Sequence, residues 1–348
     1  MTDAANHIIR SDQSMKAALK MLNDLGEDLT LFVVNKEEQL IGTVTDGDVR
    51  RGLLDGLAIT DDIQKFMKAS FNYIRNHDYD IKDILNAKEK LLQILPVLDP
   101  DMHILKLINF SKFHSWLPID AVIMAGGEGI RLRPLTENIP KPMLKIGNKP
   151  ILEHVIDWLH KFGIENMFIT TNYLGEKIKT YFKDGSDKHI SISYIDEVKK
   201  LGTIGSVSMI ENFKNDYILV INSDLLTNID LEKFFFDFQK QGADMSIATI
   251  PYNVNIPYAI LDTDGENVLG LKEKPSITYH SNAGIYLIKR KHISRIPHDT
   301  FYNATDLINE MVENNLKVTY HPVLDYWLDI GKMDDFRKAE NDIKYIKF

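Results

Sequence analysis

The chain has 348 residues, and at about 150 residues per domain this length predicts two or three domains. Its apolar fraction of 44% and charged fraction of 26% are ordinary for a globular protein, and its net charge of -9 argues against a general nucleic-acid binder. The absence of cysteine excludes disulfides and thiolate sites, no apolar run approaches the roughly 20 residues of a membrane span, and the polar start is unlike a signal peptide. We therefore expect a cytoplasmic protein with no nucleic-acid or membrane partner.

The first third of the chain predicts the same short order of elements twice. The first copy has a helix over 16–22, strands over 30–34 and 40–44 and a helix after 46–47, and the second has a helix over 81–85 and strands over 94–98 and 103–108. Ile9 recurs as Ile74 and Gly42 falls opposite Lys106, at offsets of 65 and 64 residues. This spacing indicates two stacked copies of a β-turn-β-helix unit. Chance is the alternative, since this order of elements is common.

Residues 31–54, LFVVNKEEQLIGTVTDGDVRRGLL, resemble the signature of CBS domains. The resemblance implies that residues 1–118 form a regulatory α+β tandem CBS pair, in which Thr45 and Asp48 hold the ribose of an adenine nucleotide. A carboxylate suits that task because it accepts hydrogen bonds from both ribose hydroxyls. The second copy departs from the pattern, with Asn109 and Lys112 in the corresponding places. The alternative is a structural or dimerising module without a ligand, and CBS pairing also implies a homo-oligomer.

A buried-strand pattern over 121–125 leads directly into a glycine-rich, basic segment. Gly126, Gly127 and Gly129 allow backbone N–H groups to converge on an anion, and Arg131 adds a fork of donors for phosphate oxygens. Lys141 follows between two prolines. Residues 120–149 hold five basic and three acidic residues, so the segment is locally positive in an acidic chain. The pattern predicts a phosphate-binding loop.

Two familiar glycine loops do not match this segment. A Walker A loop needs Gly-Lys-Ser/Thr at its end, and a dinucleotide fingerprint needs a third glycine where Leu132 stands. A plain strand-to-helix turn is the alternative for the glycines alone. The continuation RLRPLT followed by PKPML makes the segment much more specific.

A second candidate site lies at the end of a later strand. Residues 217–221 have the pattern of a buried parallel strand and end in Asn222-Ser223-Asp224, so that a carboxylate falls at the carboxyl end, where open α/β sheets bind ligands. Mg²⁺ commonly takes one or two carboxylates together with substrate phosphates. A helix N-cap is the alternative role for Asp224.

The segment from residue 119 to the end resembles the sugar-1-phosphate nucleotidyltransferases, motif after motif. The matching strings, in chain order, are GGEGIRLRPLT with PKPML, LGTIGS, NSD, EKP, NAGIY and WLDIG. The resemblance implies an α/β fold, with a Rossmann-like, mixed and mostly parallel sheet of the GT-A-like kind, preceded by the CBS module. The residues that depart from the family pattern are Ile130, Lys145, Ser223 and Ala259. None of these removes a charged group, while Ser223 and Ala259 put the identity of the sugar in doubt.

The resemblance also implies a role for particular residues. The glycines 126, 127 and 129, together with Arg131, Gly202 and Thr203, would hold the nucleotide. Catalysis would rest on Arg131 at the triphosphate, Lys141 at the α-phosphate or sugar phosphate, and Asp224. Asp224 and Asp329 would bind Mg²⁺, and the residues at the sugar phosphate would be Glu273, Lys274, Asn282 and Gly284.

The implied reaction joins a nucleoside triphosphate and a sugar 1-phosphate to give a nucleotide sugar and pyrophosphate. WLDIG, LLTNIDL and NAGIY are most similar to the mannose-1-phosphate guanylyltransferase branch, and the attached CBS domains resemble those of glucosamine-1-phosphate guanylyltransferases, which favours GTP. CTP, UTP and dTTP are the alternatives. The rival from another class is a non-catalytic protein of the same fold that senses nucleotides.

Overall fold

The structure is a computed structural model, and it describes residues 4–26, 28–76 and 78–346. The chain divides into two compact units, Met1–Pro118 with Lys161–Gly163, and Ile119–His160 with Ile164–Phe348. No helix in the described ranges combines the length and apolar character that crossing a membrane requires.

The first unit contains two three-stranded sheets. The first sheet has the order β1-β2-β3 and the second β4-β5-β6. The strands are β1 Ile8–Arg10, β2 Thr30–Val34, β3 Leu40–Thr45, β4 Ile74–Arg75, β5 Ile94–Leu98 and β6 Ile104–Asn109, and the helices are α1 Met15–Leu25, α2 Asp46–Leu54 and α3 Ile81–Glu89. Helix α1 buries one face, which includes Met15, Ala18 and Leu22, in a core with residues of β2 and β3.

The two sheets repeat each other in register. In each, the first pair of strands is parallel and the second antiparallel. Val33 pairs with Ile9 and Gly42, and Val97 pairs with Ile74 and Lys106. The antiparallel ladder is irregular directly after Val33 and directly after Val97. The offsets of 65 and 64 residues seen in the sequence are therefore those of a structural repeat.

The second unit is built on a seven-stranded sheet of order β11-β10-β7-β12-β17-β14-β18. Its strands are β7 Ile119–Met124, β8 Lys145–Ile146, β9 Lys149–Pro150, β10 Asn166–Thr171, β11 Ser191–Asp196, β12 Tyr217–Asn222, β13 Leu225–Thr227, β14 Met245–Asn255, β15 Ile260–Asp264, β16 Asn267–Lys272, β17 Ser276–Lys289, β18 Val318–Pro322 and β19 Trp327–Asp329. Its helices are α4 Ile151–Lys161, α5 Gly175–Phe182, α6 Leu231–Gln241, α7 Ala304–Glu313 and α8 Met333–Asp342. Four of the six pairings in the large sheet are parallel, which confirms the predicted mixed, mostly parallel α/β fold.

The central strands of this sheet point their carboxyl ends the same way. β11, β10, β7 and β12 are consecutive and parallel. The middle residues of β10, β7 and β12 are buried, as in a sheet covered on both faces, whereas the edge strand β11 is partly exposed. β7 leads into the glycine-rich segment, β11 into Glu197 and β12 into Ser223. Chemically distinct loops therefore meet at one edge of the sheet.

Strands β14 and β17 continue past the sheet as an exposed arm, residues 251–281. A ladder irregularity lies where Ile247 pairs with Tyr286 and Thr249 with Asn282, so that residues 283–285 bulge from β17. Beyond it the ladder runs on to Asn255, and β15 and β16 form a separate two-stranded sheet. Most residues of the arm are exposed.

Candidate active site

A cavity of about 710 Å³ opens at the carboxyl edge of the large sheet. Its walls come from the loops that follow β7, β11 and β12. Eight of the residues that the sequence analysis assigned to the site line this cavity: Gly126, Gly127, Gly129, Arg131, Lys141, Gly202, Thr203 and Asp224.

Two glycines of the loop are required by the space around them. Gly129 has φ +61°, and a Cβ there would lie 2.9 Å from the Cβ of Lys141. A Cβ at Gly126 would lie 3.1 Å from a carboxylate oxygen of Glu197. The glycines therefore let the loop approach the lysine on one side and the glutamate on the other.

An acidic pair lies beside Lys141, with Asp224 in the cavity lining and Asp329 outside it. Strand β13 pairs antiparallel with β19, so that Leu225 lies opposite Asp329, and the Ile330 N–H donates to the Asp224 carbonyl at 3.0 Å. This pairing places Asp224 and Asp329, far apart in the chain, next to each other. Lys141 is buried and forms an ion pair with Oδ2 of Asp224.

The acidic pair has the chemistry of a site for a hard cation. Oδ1 of Asp224 and Oδ1 of Asp329 are buried, and neither has a hydrogen-bond partner in the described part of the chain. Burial raises the pKa of Asp329, and the negative charge of Asp224 raises it further. Two buried, unpartnered carboxylate oxygens fit a divalent cation, which would replace the missing partners.

Glu197 is a cavity residue that the sequence reasoning missed. It directly follows β11, is only 9% exposed and lines the cavity. Burial raises the pKa of its carboxyl group, and among the described residues no cation lies within ion-pair distance of it. A polar residue at the carboxyl end of a strand is the signal that identified Asp224, and it could have identified Glu197 as well.

The structure places the predicted sugar-phosphate residues outside the cavity lining. Glu273 and Lys274 lie exposed between β16 and β17 on the arm. Asn282 donates from Nδ2 to the Tyr286 hydroxyl at 2.9 Å and accepts from the Gly284 N–H at 2.9 Å. A Cβ at Gly284 would lie 2.5 Å from Asn222, which does line the cavity. Gly284 therefore packs against a residue of the cavity lining without being part of the lining itself. The assignment of Glu273, Lys274, Asn282 and Gly284 to the sugar phosphate stays a prediction.

The two predicted CBS ligand residues are hydrogen-bonded to each other. Thr45 and Asp48 form a capping box at the start of α2, in which Thr45 donates its N–H at 2.9 Å and its hydroxyl at 2.6 Å to Oδ2 of Asp48. Arg51 and Lys68 form ion pairs with Oδ1 at 2.6 and 3.3 Å. Burial alone would raise the pKa of Asp48, but the hydrogen bonds from these partners have the larger effect, and the pKa is lowered. A ribose would have to replace one of them, so this assignment also stays a prediction.

Two family models match the chain. The model described as nucleotidyl transferase matches residues 120–345, and the CBS domain model matches residues 5–55.

Individual relatives match the same part of the chain. D-glycero-alpha-D-manno-heptose 1-phosphate guanylyltransferase of Aneurinibacillus thermoaerophilus is 33% identical, over 65% of this chain and 99% of its own length. Mannose-1-phosphate guanylyltransferase of Mycobacterium tuberculosis is 30% identical, over 65% of this chain and 64% of its own. UTP–glucose-1-phosphate uridylyltransferase of Synechocystis sp. is 31% identical, over 63% of this chain and 62% of its own. The chain thus spans less than two thirds of the last two relatives. The crystal structure of HddC from Yersinia pseudotuberculosis is similar with a TM-score of 0.51 and 27% identity, over 64% of this chain and 99% of that one.

Proposed function

Since this chain belongs to the nucleotidyl transferase family, we propose that residues 119–348 transfer a nucleotidyl group from a nucleoside triphosphate to a sugar 1-phosphate. The observation that carries the proposal is the convergence of the glycine loop, Lys141 and Asp224 at one cavity, with Asp329 held beside Asp224. The products are a nucleotide sugar and pyrophosphate. The heptose- and mannose-1-phosphate guanylyltransferases among the relatives support this class of substrate.

The reaction needs charge and position more than proton transfer. An oxygen of the sugar phosphate bonds to the α-phosphorus of the triphosphate, and the bond from that phosphorus to the β-bridging oxygen breaks. The attacking oxygen is already an anion, so no catalytic base is required. Arg131 and the loop N–H groups would hold the triphosphate, and Lys141 would meet the α-phosphate or the sugar phosphate.

The proposed cofactor is Mg²⁺, held by Asp224 and Asp329. When bound, it would supply positive charge to the phosphate oxygens. The unpartnered oxygens of the two carboxylates support this assignment. The ion pair with Lys141 balances the charge of Asp224, which lowers the repulsion between Asp224 and Asp329 when no cation is bound.

GTP is the proposed nucleotide, and Glu197 supports it. Guanine presents N1–H and a 2-amino group side by side, and a carboxylate accepts from both. Cytosine, uracil and thymine offer no two adjacent donors on that edge. Glu197 faces the cavity beside Gly126 and lacks a cationic partner in the described part of the chain. Hydrogen bonds from Thr170, Ser206 and the Leu201 backbone occupy part of its carboxylate, and the remaining lone pairs would accept from guanine.

A pyrophosphate-release assay tests the function. The full chain would be incubated with Mg²⁺, with each of GTP, CTP, UTP and dTTP, and with glucose, mannose or glucosamine 1-phosphate. We expect turnover with GTP and at least one of these sugars. Turnover with a pyrimidine nucleotide alone would overturn the choice of base. Nucleotide binding without turnover for every pair would support the rival, a non-catalytic sensor.

We also propose that an adenine nucleotide binds the first unit at Thr45 and Asp48 and modulates the activity. The CBS match over residues 5–55 supports this. Calorimetry of the full chain with AMP, ADP and ATP, compared with Asp48→Ala, would measure it, and equal heats for the two proteins would remove the idea. A homo-oligomeric state and a cytoplasmic location stay predictions from the sequence.

A further inference from the structure

The glycine loop carries an acid where an anion is expected to bind. Glu128 stands between Gly127 and Gly129, and it lines the same cavity. Its side chain is 30% exposed. A carboxylate in this position repels a polyphosphate that approaches the loop N–H groups. The loop can favour a triphosphate only if this charge is compensated.

The compensation comes mainly from a second loop that lines the cavity. Nζ of Lys200, in the loop after β11, lies 2.8 Å from Oε1 of Glu128. Arg133 lies further away, at 4.0 Å from Oε2. The hydrogen bond from Lys200 lowers the pKa of Glu128 further below neutral pH, so that the acid carries a negative charge in the cavity. Lys200 itself lines the cavity.

We propose that Lys200 is a positioning residue for the nucleoside triphosphate, because it neutralises Glu128 and so lets the glycine loop accept the phosphates. The inference rests on the proposed function and adds a residue to it. Lys200 is needed only because Glu128 is present. An exposed ion pair of this kind contributes little to stability, so variants of either residue are expected to fold.

The Glu128–Lys200 ion pair could instead act only as a tie, meaning a structural contact that holds the two loops together. A tie requires both partners, so loss of either would have the same effect. Neutralisation is asymmetric, since loss of the lysine leaves an uncompensated anion and loss of the glutamate leaves an additional cation. The two roles therefore predict different results for the two single variants.

Steady-state kinetics of four full-length variants, with the best nucleotide and sugar pair, separate these roles. We expect Lys200→Ala to raise KM for the nucleotide about tenfold with kcat nearly unchanged, because Glu128 is then left to repel the phosphates. Glu128→Gln should leave KM equal or lower, and the double variant should return KM to within about twofold of the original. Lys199→Ala is the matched control, because Lys199 pairs with Asp299 at 2.9 Å and is not part of the cavity lining.

Two further measurements sharpen the result. Lys200→Arg should restore KM, and the ratio of KM between Lys200→Ala and the original protein should shrink at about 0.5 M salt, where charges are screened. An unchanged KM in Lys200→Ala, or an equal rise in Glu128→Gln, would overturn the inference while the original enzyme still turns over. Absence of turnover in the original protein would instead contradict the proposed function, and a KM rise in Lys199→Ala would show a nonspecific charge effect and overturn the role of Lys200.

Discussion

The charged side chains at the cavity have few partners, so the role of each can be tested by a single substitution. Among the described residues, Lys141 forms its ion pair with Asp224, and its charge also acts on Asp329. The free oxygens of Asp224 and Asp329 have no partner in the described ranges. Such a group carries a cost in the free energy of folding, which is accepted at sites that bind ligands.

Replacement of Asp224 by asparagine should keep the fold and abolish turnover. The change removes one charge from the proposed cation site and from the partner of Lys141, and a unit charge about 4 Å away is worth roughly 4 kcal/mol at an effective dielectric near 20. We expect kcat to fall by at least about 100-fold. Asp216→Asn, an exposed acid paired with Arg290, is the control. Normal turnover of Asp224→Asn in Mg²⁺ at saturating substrate would refute the assignment.

Glu197→Gln should weaken the preference for guanine. An amide accepts one hydrogen bond and donates the other, so it no longer matches the two donors of guanine. In the original protein, KM for ITP, which lacks the 2-amino group, should exceed KM for GTP about tenfold, and in the variant the two should approach each other. Asp196→Asn is the matched control, since the neighbouring Asp196 bonds Thr171 and Lys179 instead. A GTP-to-ITP ratio equal in both proteins contradicts the role of Glu197.

At the scale of an element, the turn between β5 and β6 holds the turn between β2 and β3. Nδ1 of His103 lies 3.0 Å from Asp99, and Nε2 lies 3.1 Å from the carbonyl oxygen of Glu37. Gln39 donates to the Asp101 carbonyl at 3.0 Å. Both ring nitrogens of histidine can donate only when the imidazole is protonated. The hydrogen bond to Asp99, with that to Glu37, raises the pKa of His103.

The stability of the first unit should therefore depend on pH. Because the folded pKa of His103 is above its ordinary value of 6.5, its contribution is complete below pH 6.5 and is lost as the pH rises through the raised pKa. We expect the urea midpoint of this unit to fall as the pH rises above about 6.5, and to fall less in His103→Gln. Parallel pH profiles for the two proteins would show that His103 contributes nothing to the dependence.

At the scale of the whole molecule, the two units have separate hydrophobic cores. One core joins Met15, Leu31 and Val44, and another joins Val122, Val220 and Leu307. A unit with a core of its own can unfold as a unit. This organisation has a consequence for ligand binding that calorimetry can measure.

Thermal unfolding should show two transitions, and GTP with Mg²⁺ should raise only the one that belongs to residues 119–348. A ligand at about 100 times its Kd adds roughly 2.7 kcal/mol, which corresponds to about 5 to 10 °C for a domain of this size. ATP provides the comparison, since it should act on the first unit. A single transition that both nucleotides shift together would mean that the units do not unfold independently.

Features with a local physical cause could be predicted from the sequence alone. The strands 30–34 and 94–98 match β2 and β5, because short apolar runs bounded by turn residues have few alternatives. The sequence predicts that the glycine-rich segment binds phosphate, because the backbone freedom of glycine and the positive charge of basic residues do not depend on the fold. The repeat was visible in its spacing, since equal elements need equal lengths of chain.

The tertiary structure decided which distant residues meet. Asp329 lies beside Asp224 because β19 pairs with β13, and Lys200 reaches Glu128 because two loops end at one sheet edge. The assignment of Glu273 and Lys274 to the sugar phosphate rests on resemblance and stays a prediction, and the structure places both on an exposed arm. Local pattern reports the chemistry of a residue, whereas contacts across 100 residues depend on strand order and register, which only the folded chain determines.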